Sequence, residues 1–138
     1  MAGNISGAQL RARVARGRIA VELGRAAEDI AARFLISQGL EVVLRNFRRR
    51  LGEIDLVARD KDVLVVAEVR TRSSNRYGGA AASIDARKQR RIILATLLML
   101  RRYKQYARMR VRFDVLVVSD VLSEKPQVQW IRQAFLAI

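Results

Sequence analysis

From about Arg18 the apolar positions Leu23, Ala27, Ile30 and Phe34 recur at helical spacing, and Gln38-Gly39 supplies a stop, so the pattern predicts a first helix. The period then changes. Glu41 to Phe47 is rich in β-branched and aromatic residues and predicts a strand, and Glu53-Ile54-Asp55-Leu56 alternates acid with apolar, the signature of a half-buried second strand. Asp60-Lys61 predicts a tight turn, and the returning strand, Asp62 to Arg70, opens with the continuous apolar run Val63 to Ala67, as a central strand buried on both faces does. Ser73 to Gly79 reads as a loop carrying Gly78-Gly79. Ser83 or Asp85 then caps a long second helix reaching roughly to Ala107. Val111 to Val118 and Val128 to Phe135 predict two further strands around a turn at Ser123 to Pro126. No internal repeat interrupts this order, which is that of one α/β domain.

A turn at Asp60-Lys61 sets Glu53 opposite Glu68 and Asp55 opposite Val66. Asp55 and Glu68 are then diagonal neighbours on one face, roughly 7–8 Å apart at the backbone, close enough to share a metal ion. Arg70 shares that face, while Ile54, Leu56, Ala67 and Val69 point to the other. Carboxylates crowded on one face repel, so a cation should compensate them. A divalent metal would do so, and so would a structural set of salt bridges to arginines such as Arg70; spacing leaves both open.

Composition sharpens the picture. The chain has 138 residues, room for one domain, with half of them apolar and a formal net charge of +14. Of its 27 basic residues, 23 are Arg, whose planar fork suits phosphates and base edges, so an anionic partner is expected. A membrane surface is the weaker candidate, because no basic amphipathic helix with exposed Trp, Phe or Leu stands out. DNA is the expected partner, with RNA the alternative. The longest apolar runs, Val63 to Ala67 and Ile92 to Leu100, are too short to span a bilayer, and the N-terminus lacks an apolar secretory core, so a cytoplasmic location is expected. Cysteine and histidine are both absent. Thiol chemistry and imidazole catalysis are excluded, and any metal must be held by hard oxygen ligands, which suit Mg2+ or Mn2+.

Residues 1–17 carry Arg11, Arg13 and Arg16 with no acid to pair them and read as a basic, flexible N-terminal arm preceding the domain at 18–138. Arg45, Arg48, Arg49 and Arg50 lead into the acidic strand, and Arg101, Arg102, Lys104, Arg108, Arg110 and Arg112 gather around the end of the second helix. Such clusters hold phosphates without reading sequence. Lys88, Arg90 and Arg91, early in the second helix, are placed to grip a phosphate near the carboxylates, with the helix N-terminal amides assisting. Tyr103, Tyr106, Trp130 and Phe135 read as core, and Asp114 as an arginine's structural partner.

Six segments together carry a resemblance: Gly24-Arg25-Ala26-Ala27-Glu28, Arg45-Asn46-Phe47-Arg48, Gly52-Glu53-Ile54-Asp55-Leu56, Glu68-Val69-Arg70-Thr71-Arg72, Tyr77-Gly78-Gly79 and Lys88-Gln89-Arg90-Arg91. In this order, over roughly Gly17 to Val118, they resemble the YraN family of small bacterial proteins. The resemblance implies a restriction-endonuclease-like α/β fold, a mixed central sheet flanked by helices, similar to Holliday-junction resolvases. It implies metal-dependent cleavage of branched or otherwise structured DNA, with Asp55, Glu68 and the Val69 carbonyl as metal ligands and Glu28 as an accessory acid. Arg48, Arg49, Arg72, Lys88 and Arg91 would contact nucleic acid, and a homodimer is expected by analogy with junction-cutting enzymes. The chain departs from the superfamily's Glu-x-Lys pattern at Arg70, and an arginine, always protonated, cannot act as a general base. It can still hold phosphate or stabilise developing charge. A nuclease-fold binding module without turnover is therefore the alternative, and for Glu28 the alternative is a surface carboxylate paired with Arg25 or Arg33.

Overall fold

A computed structural model describes residues 3–72 and 83–137. The expected loop Ser73 to Gly79, including Tyr77-Gly78-Gly79, lies outside the described residues. Helix α1 spans Gly7–Ser37, β1 Glu41–Arg49, β2 Gly52–Asp60, β3 Val63–Arg72, α2 Ala86–Arg102, β4 Arg110–Ser119 and β5 Gln127–Phe135. The strands form one mixed sheet in the order β1-β2-β3-β4-β5, antiparallel except for the β3/β4 pair. Parallel neighbours need a long crossover, and α2 lies on it.

Each face of the sheet carries one helix. On the first, Ala27, Ala31, Ala32 and Leu35 of α1 pack on Leu56, Ala58, Val65, Ala67, Leu116 and Val118. Three alanines at helical spacing let the helix axis come close to the sheet. On the second, Ile92, Ala95 and Met99 of α2 pack on Phe47, Ile54, Val57, Leu64, Val66, Val115 and Val117. The run Leu64 to Ala67 is buried on both faces, as a central strand requires. Asp114, beneath this surface, accepts from Arg112, from Trp130 Nε1 and from Gln133 N–H at 2.8–2.9 Å, so its buried carboxylate is structural, as expected. Tyr103 and Tyr106 pack against the α2-side core, and Trp130 meets Phe34 edge to face.

Three expectations are corrected. Helix α1 begins at Gly7, not near Arg18: Ser6 Oγ accepts from the Gln9 N–H while the Gln9 side chain accepts from the Ser6 N–H, a reciprocal cap that starts the helix ahead of its buried stripe. Helix α2 ends at Arg102 rather than near Ala107, and a 3-10 turn at Lys104–Tyr106 follows. The β2/β3 hairpin turns at Lys61-Asp62, not Asp60-Lys61, because Asp60 pairs with Val63 and Lys61 takes the left-handed conformation, φ 56°. That one-step change in the turn resets the whole register.

Candidate metal and nucleic-acid site

Leu56 pairs with Ala67, so the next residues of the two strands, Asp55 and Glu68, adjoin the end of the ladder together and are not set diagonally by an Asp55/Val66 pairing; they share a hydrogen bond. The backbone ladder stops at Leu56/Ala67. Beyond it the Val69 N–H donates to Asp55 Oδ2 at 2.8 Å, so the carboxylate takes over the main-chain bond where the strands part. Val69 thus reaches the site through its N–H.

The alternation of β2 also breaks here. Ile54 joins the α2-side core with Phe47 and Val57, whereas Leu56 joins the α1-side core, which corrects the expectation that Ile54 and Leu56 share a face. Across from the break, Asn46 of β1 is left-handed, φ 53°. Its side chain hydrogen-bonds Glu28 of α1, which also feels the charge of Asp55. Asp55 of β2 is thus within electrostatic reach of Glu28 on α1 and shares a hydrogen bond with Glu68 on β3. Burial, chiefly, raises all three above the usual carboxylate range. Glu68, 8% exposed, is pushed up to about 8 by burial and then by the neighbouring charge of Asp55, with which it shares a hydrogen bond.

The cations come from two elements. Lys88, in the first turn of α2, sits 3.5 Å from Glu53 Oε1 and 3.7 Å from Glu68 Oε1. Its own N–H is held by the capping carboxylate of Asp85, which fixes the start of the helix. Arg70 Nε lies 3.7 Å from Glu68 Oε1, beyond hydrogen-bond reach, and has no hydrogen-bond partner among the described residues. Arg72 follows Glu68 and Arg70 at two-residue steps along β3. Arg48 is exposed and bonds Asn46 Oδ1 at 3.4 Å. Arg49 lies over the Phe47 ring, 4.1 Å from its centroid. Arg91 meets Gly52 through its backbone. Glu28 does not pair with Arg25 or Arg33 in any described ion pair; Arg45 instead takes Asp29 at 2.6 Å. Two participants had no chemical reading in the sequence, Glu53 as a partner of Lys88 and Asn46 as a partner of Glu28. An Asn in a strand otherwise made of charged and apolar residues was the available sign of a left-handed position. An apolar groove of about 690 Å³, lined by Val63, Leu97, Phe113 and Phe135 among others, opens at the other end of α2, away from these carboxylates.

Among the described residues Asp55 forms no ion pair and Glu68 has its two cations only at 3.7 Å, so the paired carboxylates can offer oxygens to a divalent cation, the hard donors Mg2+ and Mn2+ prefer. No three acids among the described residues are gathered closely enough to hold an ion by themselves, so the pair would supply only part of an ion's ligand shell. A proton held up to about pH 8 also has a stability consequence. Between the usual carboxylate range and pH 8 the folded state keeps a proton that the unfolded state has released, so stability falls as pH rises through that window. Glu68→Gln removes the titration while keeping the shape. In chelated buffer it is expected to raise the thermal midpoint by roughly 5 °C at pH 8, about 1–2 kcal/mol, and by much less at pH 5. Equal shifts at the two pH values would show that Glu68 is not the titrating group.

A mixed five-stranded sheet between two helices, with acids gathered where two central strands part, is an α/β fold consistent with the nuclease-like class. Residues 27–118 match the model of the family described as uncharacterised protein family UPF0102, and the chain belongs to that family, the YraN family of the sequence resemblance. A UPF0102 protein of Alcanivorax borkumensis is 46% identical over 112 residues, covering 81% of this chain and 90% of its own. One from Hahella chejuensis is 48% identical over 115 residues, 83% of this chain and 90% of its own. One from Rhodococcus opacus is 42% identical over 113 residues, 82% of this chain and 95% of its own. No described helix is long and apolar enough to cross a membrane.

Proposed function

We propose that this chain is a metal-dependent endonuclease for branched or otherwise structured DNA. The observation that carries the reading is the Asp55/Glu68 pair, two acids from β2 and β3 that share a hydrogen bond where the strands part, with Lys88 and Arg70 beside them. Asp55 and Glu68, with the Val69 carbonyl, would hold Mg2+ or Mn2+, which when bound supplies an activated water and neutralises charge on the phosphate. Asp55 is oriented by the Val69 N–H, and Glu28, fixed by Asn46, adds negative charge that favours cation binding. Lys88 provides, from a helix, the ammonium that the Glu-x-Lys pattern lacks at Arg70. Swinging off Glu53 by a rotamer change, it can donate to a phosphate oxygen, while Arg70 approaches the same phosphate from β3. Arg48, Arg49, Arg72 and Arg91 would contact the flanking backbone. A homodimer would let two strands be cut together.

The test is cleavage of labelled branched, duplex and single-stranded DNA and of RNA with Mg2+ or Mn2+, parent against Asp55→Ala. Metal-dependent DNA products absent from the variant support the reading, and their absence from the parent on every substrate overturns it. Lys88→Ala is expected to slow cleavage by about 10²-fold, as loss of one charged donor to a developing oxyanion does. Unchanged turnover in that variant would remove Lys88 from the chemistry. One observation favours a second reading, a binding module without turnover: Lys88 is shared between Glu53 and Glu68, and Arg70 cannot act as a base. Salt-sensitive binding with no products would establish it.

A further inference from the structure

Helix α1 is much longer than the surface it covers. Its first buried residue is Ala27, and residues 7–22 are all exposed, so roughly 24 Å of helix stands clear of the body. An isolated helix of that length is marginal in water, but this one propagates from a packed C-terminal half and is closed at its free end by the Ser6/Gln9 cap. The free part leaves the body beside Glu28, the α1 residue that faces Asp55, so it starts at the carboxylate site and runs outward from it. It also lies outside the family-matched residues 27–118.

The charges on it are arranged in two rows. Arg11, Arg18 and Arg25 recur every seven residues and share one flank, while Arg13 and Arg16 occupy the opposite flank. Between the flanks runs a narrow exposed stripe, Leu10, Val14, Gly17 and Val21, so α1 does carry a basic helix with an apolar face, which corrects the expectation that no such helix is present. Glu22 is the one acid among residues 3–26, and none of these arginines forms an ion pair with a described residue. A row of guanidinium groups on each flank of a single helix is complementary to two facing phosphate walls. The B-form major groove, about 12 Å wide, admits an α-helix of 10–12 Å diameter, and its thymine methyls accept apolar side chains such as those of the stripe. The deep, narrow major groove of A-form RNA does not admit it. A second copy of the helix would bring like charges together along the whole stripe.

We infer that the free part of α1 is a groove-inserting arm, which clamps B-form duplex DNA next to the carboxylate site and makes duplex DNA, rather than duplex RNA, the ligand. This rests on the nucleic-acid part of the proposed function and is independent of cleavage. The test uses the full chain in chelated buffer, the parent against a variant carrying Arg11→Gln, Arg13→Gln, Arg16→Gln and Arg18→Gln. All four side chains are exposed, and an unchanged thermal midpoint verifies the fold. Labelled 20-base-pair DNA and RNA duplexes of one sequence are titrated between 50 and 200 mM salt. The parent is expected to prefer the DNA duplex. The variant is expected to lose at least tenfold in affinity for it, with the slope of log K against log salt shallower by about 3–4, close to 0.9 per phosphate contact. Its RNA affinity should change less than twofold. Equal losses on DNA and RNA, an unchanged DNA slope, or a parent that does not bind the duplex would each overturn the arm. A dimer that tightens in the variant, as relief of the like-charge repulsion would produce, would assign the stripe to a second copy instead. Binding lost in the variant while the parent cuts nothing would leave the arm standing and remove only the nuclease reading.

Discussion

Asp55→Ala is expected to reduce metal-dependent cleavage on the order of 10³-fold, about 4 kcal/mol of transition-state stabilisation, while DNA binding in chelated buffer is kept or tightened. The two halves of the expectation have separate causes. Asp55 is one of two hydrogen-bonded carboxylates, and its removal leaves Glu68 alone with Lys88 and Arg70, too few hard ligands to position a divalent ion. Binding moves the other way, because the variant loses a negative charge from a surface that must accept phosphates. The Val69 N–H loses its acceptor, a cost of about 1–2 kcal/mol in stability that thermal unfolding would register separately. Parallel assays of cleavage, binding and unfolding therefore distinguish loss of a ligand from loss of the fold. Cleavage surviving in a purified Asp55→Ala protein would place the chemistry elsewhere. Cleavage and binding lost together, with the midpoint collapsed, would make Asp55 a structural residue.

How much of this was legible in the sequence depended on which interactions are local. Strand positions were readable because burial repeats with period two or, in β3 and β4, runs unbroken through Leu64 to Ala67 and Val115 to Val118. The buried stripe of α1 was readable for the same reason. Its first turns were not, since Leu10, Val14 and Val21 face solvent and no packing partner shapes the pattern there. The end of α2 was overrun because Tyr103 and Tyr106 continue an apolar spacing in a 3-10 turn.

The site shows the same division. Asp55 and Glu68 were identifiable as acids set into apolar strands. Their relation was not, because it depends on whether the two turn residues are Asp60-Lys61 or Lys61-Asp62, and an ordinary lysine adopts the left-handed conformation that decides it. Ile54 defeated strict alternation because Asn46 and Asp55 interrupt both strands at the same level, an event that leaves no period to detect. Lys88 was recognised as basic and near the site. Its contact with Glu68 depends on how closely α2 approaches β2, which a one-dimensional pattern does not contain.

That approach is set by Gly52, and Gly52→Ala is expected to cost about 3–5 kcal/mol and lower the thermal midpoint by roughly 10–20 °C. A Cβ built there would lie 1.9 Å from the Arg91 carbonyl oxygen and 2.7 Å from its carbon. Both are backbone atoms within α2, so no rotamer change relieves the overlap, and the helix must move outward by more than 1 Å to restore an ordinary contact. Gly52 is not one of the positive-φ residues, so an alanine could adopt its backbone conformation, and the cost lies in the contact. The displaced segment carries Ile92, Ala95 and Met99 out of the α2-side core and, one turn earlier, Lys88 away from Glu53 and Glu68. Activity should therefore fall in step with Lys88→Ala even at temperatures where the variant is folded, whereas Glu124→Gln, an exposed change in the β4/β5 turn, should leave both stability and activity within the ordinary range. A midpoint within a few degrees of the parent would mean that α2 is free to ride outward, and that its close approach to β2 is not what places Lys88 between the two carboxylates.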